Sequence, residues 1–228
     1  MNVTTLTLNW FTDPANWSGA GAIPTRMVEH LLISLVVVLI AAALALPLGV
    51  WIGHQRRGGG VVTALAGAAR AVPTLGLLTL LGLALGIGLL APGIALVVLA
   101  IPPLLAGAYA GVAAVDGQTV KAARAMGMKE SQLIFQVELP LAAPVVIGGV
   151  RSAVIQVIAT ATLAAYTADA GLGRFIFAGL KTRDYGEMIG GALLVIALAL
   201  LVEALFSLAH LIPGSGNRRT RTLERTRS

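Results

Sequence analysis

HLLISLVVVLIAAALALPLGVWIG, residues 30–53, holds no Lys, Arg, Asp or Glu over 24 consecutive positions. Coiled as an α-helix, such a run is about 36 Å long, enough to cross the roughly 30 Å hydrocarbon core of a bilayer. The next stretch, HQRRGGG (residues 54–60), is basic and glycine-rich and stops it. The whole chain has the same character, with 57% hydrophobic residues, 11% charged and a mean hydropathy of +0.88. Ordinary soluble domains carry about a quarter charged residues. The sequence therefore reads as an all-α membrane protein that crosses the bilayer several times.

Five stretches are long enough to span: residues 30–53, 61–88, 94–115, 141–166 and 188–212. The second is interrupted by Arg70 and Pro73, a break tolerated within a span when neighbours satisfy the freed backbone groups. Its length is too short for two crossings of about 20 residues each. GLLAPG (residues 88–93) makes a tight turn into the third.

Lys and Arg orient the bundle. With the amino terminus outside, the cytoplasmic segments hold ten: Arg56, Arg57, Lys121, Arg124, Lys129, Arg218, Arg219, Arg221, Arg225 and Arg227. The outer segments hold four: Arg26, Arg174, Lys181 and Arg183. The positive-inside rule then gives an N-out, C-in multi-pass protein of the cell membrane. Residues 1–28 form a polar lead with Trp10, Phe11 and Trp17, aromatics suited to a membrane interface, as a surface helix or a disordered segment. Residues 29–213 form the transmembrane domain, and residues 214–228 a basic tail expected to be disordered. With no cysteine there is no disulfide or thiolate metal site. No basic surface interleaved with aromatics argues for nucleic acid.

Small-xxx-small pairs at Gly82/Gly86, Gly107/Gly111 and Gly186/Gly190, with Gly148 and Gly149, offer thin faces for close helix packing. Ionisable residues within spans are the default functional candidates. Arg151 and Glu203 qualify, and a structural ion pair is favoured for them over a proton relay because no chain of acids leads onward. Thr160 and Thr162, in the alanine-rich stretch 159–165, are candidates for the translocation path, since small side chains line a pore without gripping a solute. His30, His54 and His210 fall at span ends and read as interfacial polar residues.

Residues 116–140 make a cytoplasmic connection between the third and fourth spans. QTVKAARAM is a good helix, in which Ala122, Ala123 and Met126 form a small apolar patch. Gly127 ends it, as glycine commonly does, and KESQLIFQVE resumes helically toward Leu139 and Pro140. The expected product is a short helix–turn–helix suited to docking a partner.

That loop resembles the EAA loop of ABC importer permeases, whose pattern is E-A-A, three residues, G, nine residues, I, one residue, L-P. Ala122, Ala123, Gly127, Leu139 and Pro140 match at that spacing; Val137 stands for the isoleucine and Lys121 for the glutamate. ARAVPTLGLLTL, IPPLLAGAYAGVAAVD, LPLAAPVVIGGVRSA and ATATLAAYTADAGLGRFIFAGL are similar to segments of the glycine betaine/choline (osmoprotectant) permeases, over about residues 30–210. The resemblance implies a MetI-like permease working as a pair, two copies or this chain with a paralogue. Cytoplasmic ABC ATPase subunits would dock through Lys121, Ala122, Ala123, Arg124, Met126, Gly127, Leu139 and Pro140, and a substrate-binding protein would meet the outer face. The chain lacks a G-x-x-x-x-G-K-[ST] phosphate loop, so ATP hydrolysis is expected in a partner, with no enzyme activity and no cofactor in this chain. The alternatives are a permease for another small solute such as methionine, or a stand-alone ion-coupled carrier dependent on Glu203.

Overall fold

The computed structural model describes residues 2–211 and is helical throughout them, with no strand among the described residues. The tail at 214–228 and the last residue of the fifth expected span lie outside the described residues. Three long helices carry the core: α2 (Ile23–Gln55), α5 (Leu90–Ala113) and α8 (Leu139–Thr160). Val37, Ala41 and Ala45 of α2, Leu96, Ala100 and Leu104 of α5, and Ala153 and Val157 of α8 are buried together. α5 lies between the other two, and its contacts are close because small residues face each other. A Cβ on Gly107 would stand 2.7 Å from the Gly149 Cα, and one on Gly49 would stand 2.7 Å from the Ala108 Cβ. Backbones that approach this far gain van der Waals contact that lipid cannot supply.

Among the described residues, four helices are long and apolar enough to cross a membrane: Ile23–Gln55, Leu90–Ala113, Glu130–Tyr166 and Tyr185–Ala209. The second expected span differs in form. Residues 61–88 are two helices, α3 (Gly59–Ala71) and α4 (Thr74–Leu85), bent by 83° at Val72 and Pro73. Neither is long enough to cross alone. Yet α3 starts beside the Tyr109 hydroxyl, near the end of α5, while Gly88 after α4 donates its N–H to the Thr167 carbonyl (3.0 Å) at the other end. The pair therefore traverses the bundle as a broken span. Proline at the break explains it, because Pro73 has no N–H to continue the helix.

The fourth span is longer than expected. Helix α7 (Glu130–Gln132) runs through a π-turn (Leu133–Glu138) into α8 and on through a 3₁₀ stretch (Ala161–Tyr166). Pro140 does not interrupt it: the Leu139 N–H bonds the Ile134 carbonyl, five residues back, so the wide turn absorbs the missing N–H of the proline.

Residues 3–12 form α1 (Val3–Thr12), which packs on α10 (Tyr185–Leu211). The Trp10 ring meets Phe175 of α9 (Gly173–Thr182) edge-on, with centroids 5.1 Å apart, and occupies the space a Cβ on Gly190 would need. Two glycine pairs thus act differently from the expectation. Gly186 and Gly190 receive α1, not a second span, and Gly86 ends α4 at φ 84° with no neighbour for a side chain to meet.

Candidate functional site

At the end of the bundle where α2 and α5 finish, the chain forms α6 (Gly117–Ala125), nine residues long. Asp116 caps it, its carboxylate accepting from the Gln118 and Thr119 N–H groups at 3.1 and 3.2 Å. Those two bonds hold the Asp116 carboxyl below the usual aspartate range. Gly127 closes the helix at φ 87°, a backbone conformation that favours glycine, with its N–H on the Arg124 carbonyl (3.0 Å). Only Val120 and Ala123 of α6 are buried, beneath the helix against the ends of the core.

This placement corrects the expected apolar patch. Lys121, Ala122, Arg124, Gly127 and Pro140 are exposed, and Met126 is 78% exposed, but Ala123 is buried at 4%. Adjacent helical residues point about 100° apart, so Ala122 and Ala123 cannot share one flat face. Leu139 is half-buried, packed on the Val112, Val115 and Val120 cluster. Arg124 makes a two-pronged pair with Glu130, Nε and Nη2 donating at 2.9 and 2.8 Å. Glu130 thereby raises the Arg124 pKa.

Two connections at this end were not foreseen. His54, in the last turn of α2, lies between carboxylates: Nδ1 is 2.6 Å from Glu138 and Nε2 is 3.0 Å from Glu130. Arg56, past the end of the same helix at φ 53°, donates from Nη2 to the Val115 carbonyl at the end of α5. His54 is therefore no free interfacial residue.

Within the spans, Arg151 and Glu203 come together. Nε of Arg151 donates to Glu203 at 2.9 Å, Nη2 pairs with the other carboxylate oxygen, and Nη2 also reaches the Ser207 hydroxyl (3.3 Å). The two side chains thus form an ion pair between α8 and α10. Thr160 and Thr162 turn their hydroxyls onto their own helix, accepted by the Gln156 and Ala159 carbonyls at 2.7 and 2.9 Å. Thr160 shares a face of α8 with Gln156 and Ser152, which stand one and two helical turns before it. Ser152 and Gln156 line a notch that opens between α3, α5 and α8 beside Ala66, Ala69, Pro102 and Pro103. Gln156 donates to the Leu99 carbonyl at 3.1 Å, the group left without an N–H partner by Pro103 four residues on. A glutamine amide in the middle of a span was a signal the sequence carried and the reading passed over.

His30 also differs from its expectation. The helix begins at Ile23, so His30 sits two turns inside and is fully buried. Its Nε2 donates to the Ile158 carbonyl (2.9 Å), and its Nδ1 accepts from the Leu172 N–H (3.3 Å).

Long apolar helices around a small-residue core, with a short exposed helix at one end tied to them by polar links, make an integral membrane protein. The chain belongs to the family of binding-protein-dependent transport system inner membrane components, whose model matches residues 45–213. It is 32% identical over 193 residues to the choline transport system permease protein OpuBB of Bacillus subtilis, covering 85% of this chain and 89% of that one. It is 38% identical over 175 residues to the carnitine transport permease protein OpuCB of Listeria monocytogenes, covering 77% and 80% respectively. Its fold is similar to that of a chain in an inward-facing structure of the MetNI methionine ABC transporter, with a TM-score of 0.69, 22% identity, and 81% and 92% of the two chains covered.

Proposed function

We propose that this chain forms the translocation path of an ATP-driven importer for small quaternary amines of the choline, carnitine and glycine betaine type. The observation that carries this reading is the similarity, along 77–85% of the chain, to permeases named for those solutes. Nothing in the geometry favours methionine, because a likeness at 22% identity speaks for the fold alone. The pairing of Glu203 with Arg151 lends no support to a stand-alone carrier that would need that carboxylate free.

The orientation is N-out and C-in, so α6 faces the cytoplasm. The Lys and Arg distribution supports it, as does the gathering of Arg56, Lys121 and Arg124 around one open cleft. The exposed side of α6, with Lys121, Ala122 and Met126, is the docking face for a separate ATPase, and the opposite end receives a binding protein. ATP hydrolysis belongs to the ATPase, and this chain works without a cofactor. A second permease chain completes the path. Each ATPase cycle shifts a two-state equilibrium of the bundle, and the face bearing Ser152, Gln156 and Thr160 lines the way through.

The test is uptake of labelled glycine betaine, choline and carnitine into proteoliposomes holding the chain, its ATPase and its binding protein. Uptake that requires all three components and ATP supports the reading. Uptake by this chain alone, or no uptake of any of the three solutes by the complete system, overturns it.

A further inference from the structure

We propose that His54 is the positioning residue that holds the α6 loop to the first span, and that it does so as an imidazolium shared between two carboxylates. The inference rests on the coupling role given to α6 above, and it deepens that role by naming the link. Apolar packing holds α6 weakly, for only Val120 and Ala123 are buried beneath it. The polar chain beside it is continuous instead: Arg124 of α6 to Glu130 of α7, Glu130 to His54 of α2, and His54 to Glu138 of the π-turn.

Proton counting decides the state of the ring. A carboxylate only accepts hydrogen bonds, and neutral imidazole has one N–H. Here a carboxyl oxygen faces each ring nitrogen, at 2.6 and 3.0 Å, so with both acids ionised the two contacts are hydrogen bonds only when both nitrogens carry hydrogen. Removing that proton sets a bare nitrogen against a carboxylate oxygen and leaves Glu138, only 1% exposed, buried without a cation. The charged groups around the ring come from every element there: Arg56 just past α2, Lys121 and Arg124 on α6, Asp116 at its start, Glu130 on α7 and Glu138 in the π-turn. From α5, Tyr109 packs on Gly53 and Gly59 next to the same turn. The three cations line the open cleft, whereas the two acids hold the ring itself. The link therefore loses a hydrogen bond when the ring loses a proton.

The chain has no cysteine, so paired labels can be placed without background. Arg57→Cys and Gln118→Cys, both at exposed positions, carry spin labels on the end of α2 and on α6. Pulsed EPR would be run on the full chain in nanodiscs with its ATPase, from about pH 6 to about pH 9 across the histidine range. With His54 present, the distance distribution should be narrow at low pH and at least twofold wider at high pH. His54→Gln should be wide at both, and His54→Lys, which keeps a cation, narrow at both. Glu138→Gln gives neutral imidazole a donor for Nδ1, so it should be narrow at both; it also serves if His54→Gln fails to assemble. Distributions that ignore pH in the parent, or a Glu138→Gln protein with the parent's pH response, overturn the proposal. These distances do not depend on the solute, so absent uptake with the expected distances would count against the transport reading and not against this link.

Discussion

His30 and His54 lie on the same helix, about 36 Å apart along it, and each fastens α2 to a different stretch of the fourth span. At the α1 end, His30 meets only backbone: it donates to Ile158 and accepts from Leu172, the pattern of a neutral ring. The Ile158 carbonyl is free to accept because α8 tightens into a 3₁₀ stretch just beyond it. Arg26 and Glu29 add to the clamp, Arg26 donating to the Asp169 carbonyl at 2.6 Å and Glu29 accepting from the Gly171 N–H at 3.0 Å. At the α6 end, His54 meets only carboxylates. The same side chain makes a fixed peg in one place and a chargeable link in the other. What differs is the partner's ability to carry charge.

The strongest test of that contrast removes the peg. His30→Leu leaves the Ile158 carbonyl and the Leu172 N–H buried without partners, each costing about 1–3 kcal/mol. Thermal unfolding in detergent at about pH 8, above the histidine range, should show a loss of about 3 kcal/mol. A loss below about 1 kcal/mol would show that the two backbone groups find other partners, and His30 would be no peg.

The second test separates holding from coupling at the other end. His54→Leu with Glu138→Leu replaces a buried pair by apolar side chains, a change that is often neutral for stability. The double variant should melt close to the parent, yet move roughly tenfold less solute per ATP hydrolysed, within the usual range of site-to-site coupling. Unchanged uptake per ATP would reduce His54 to a packing element.

Much of this architecture was legible in the sequence, and the reason is lipid. A span must hide its backbone and present apolar side chains, so residues 30–53 declare themselves. The break at Arg70 and Pro73 was visible too, but not its 83° bend, which depends on how α3 and α4 pack on α5. The helix ending at Gly127 followed from the residue, whereas the burial of Ala123 needed the helix's rotation. His54 and Glu138 are 84 positions apart, and no local pattern links them. Pro103 and Gln156 show the same gap: each was readable as a polar irregularity within a span, and only the fold brings them together.

Between the two histidines lies a link of a third kind, the Arg151–Glu203 pair joining α8 to α10. Both side chains are about a third exposed, so its contribution is set near that of other polar contacts within spans, about 0.6 kcal/mol on average. Glu203→Gln should lower the unfolding midpoint slightly and leave ATP-driven uptake intact. Arg151→Met with Glu203→Leu should recover the midpoint. Uptake lost in Glu203→Gln alone, with assembly normal, would restore the relay and place a second chargeable site inside the bundle.

The smallest effect sharpens the α6 end from the acid side. Asp116 holds the start of α6 through two backbone N–H groups, which depress its pKa. A depressed carboxyl stabilises above its unfolded pKa, and that stabilisation is lost as pH falls through the folded value. Protection of the α6 amides, measured relative to their intrinsic exchange rate at each pH, should therefore fall toward acid pH. Asp116→Asn, a comparable cap without the charge, should remove the Asp116 share of that acid response, and Asp116→Ala should exchange faster at every pH. His54 acts in the opposite direction, since its link weakens as the ring loses its proton at rising pH. Protection of α6 should thus be greatest in a window whose acid flank responds to Asp116 and Glu130 and whose alkaline flank responds to His54 and Glu138. If Asp116→Asn also moved the alkaline flank, the two controls would share one network and the α6 end would have to be treated as a single titrating unit.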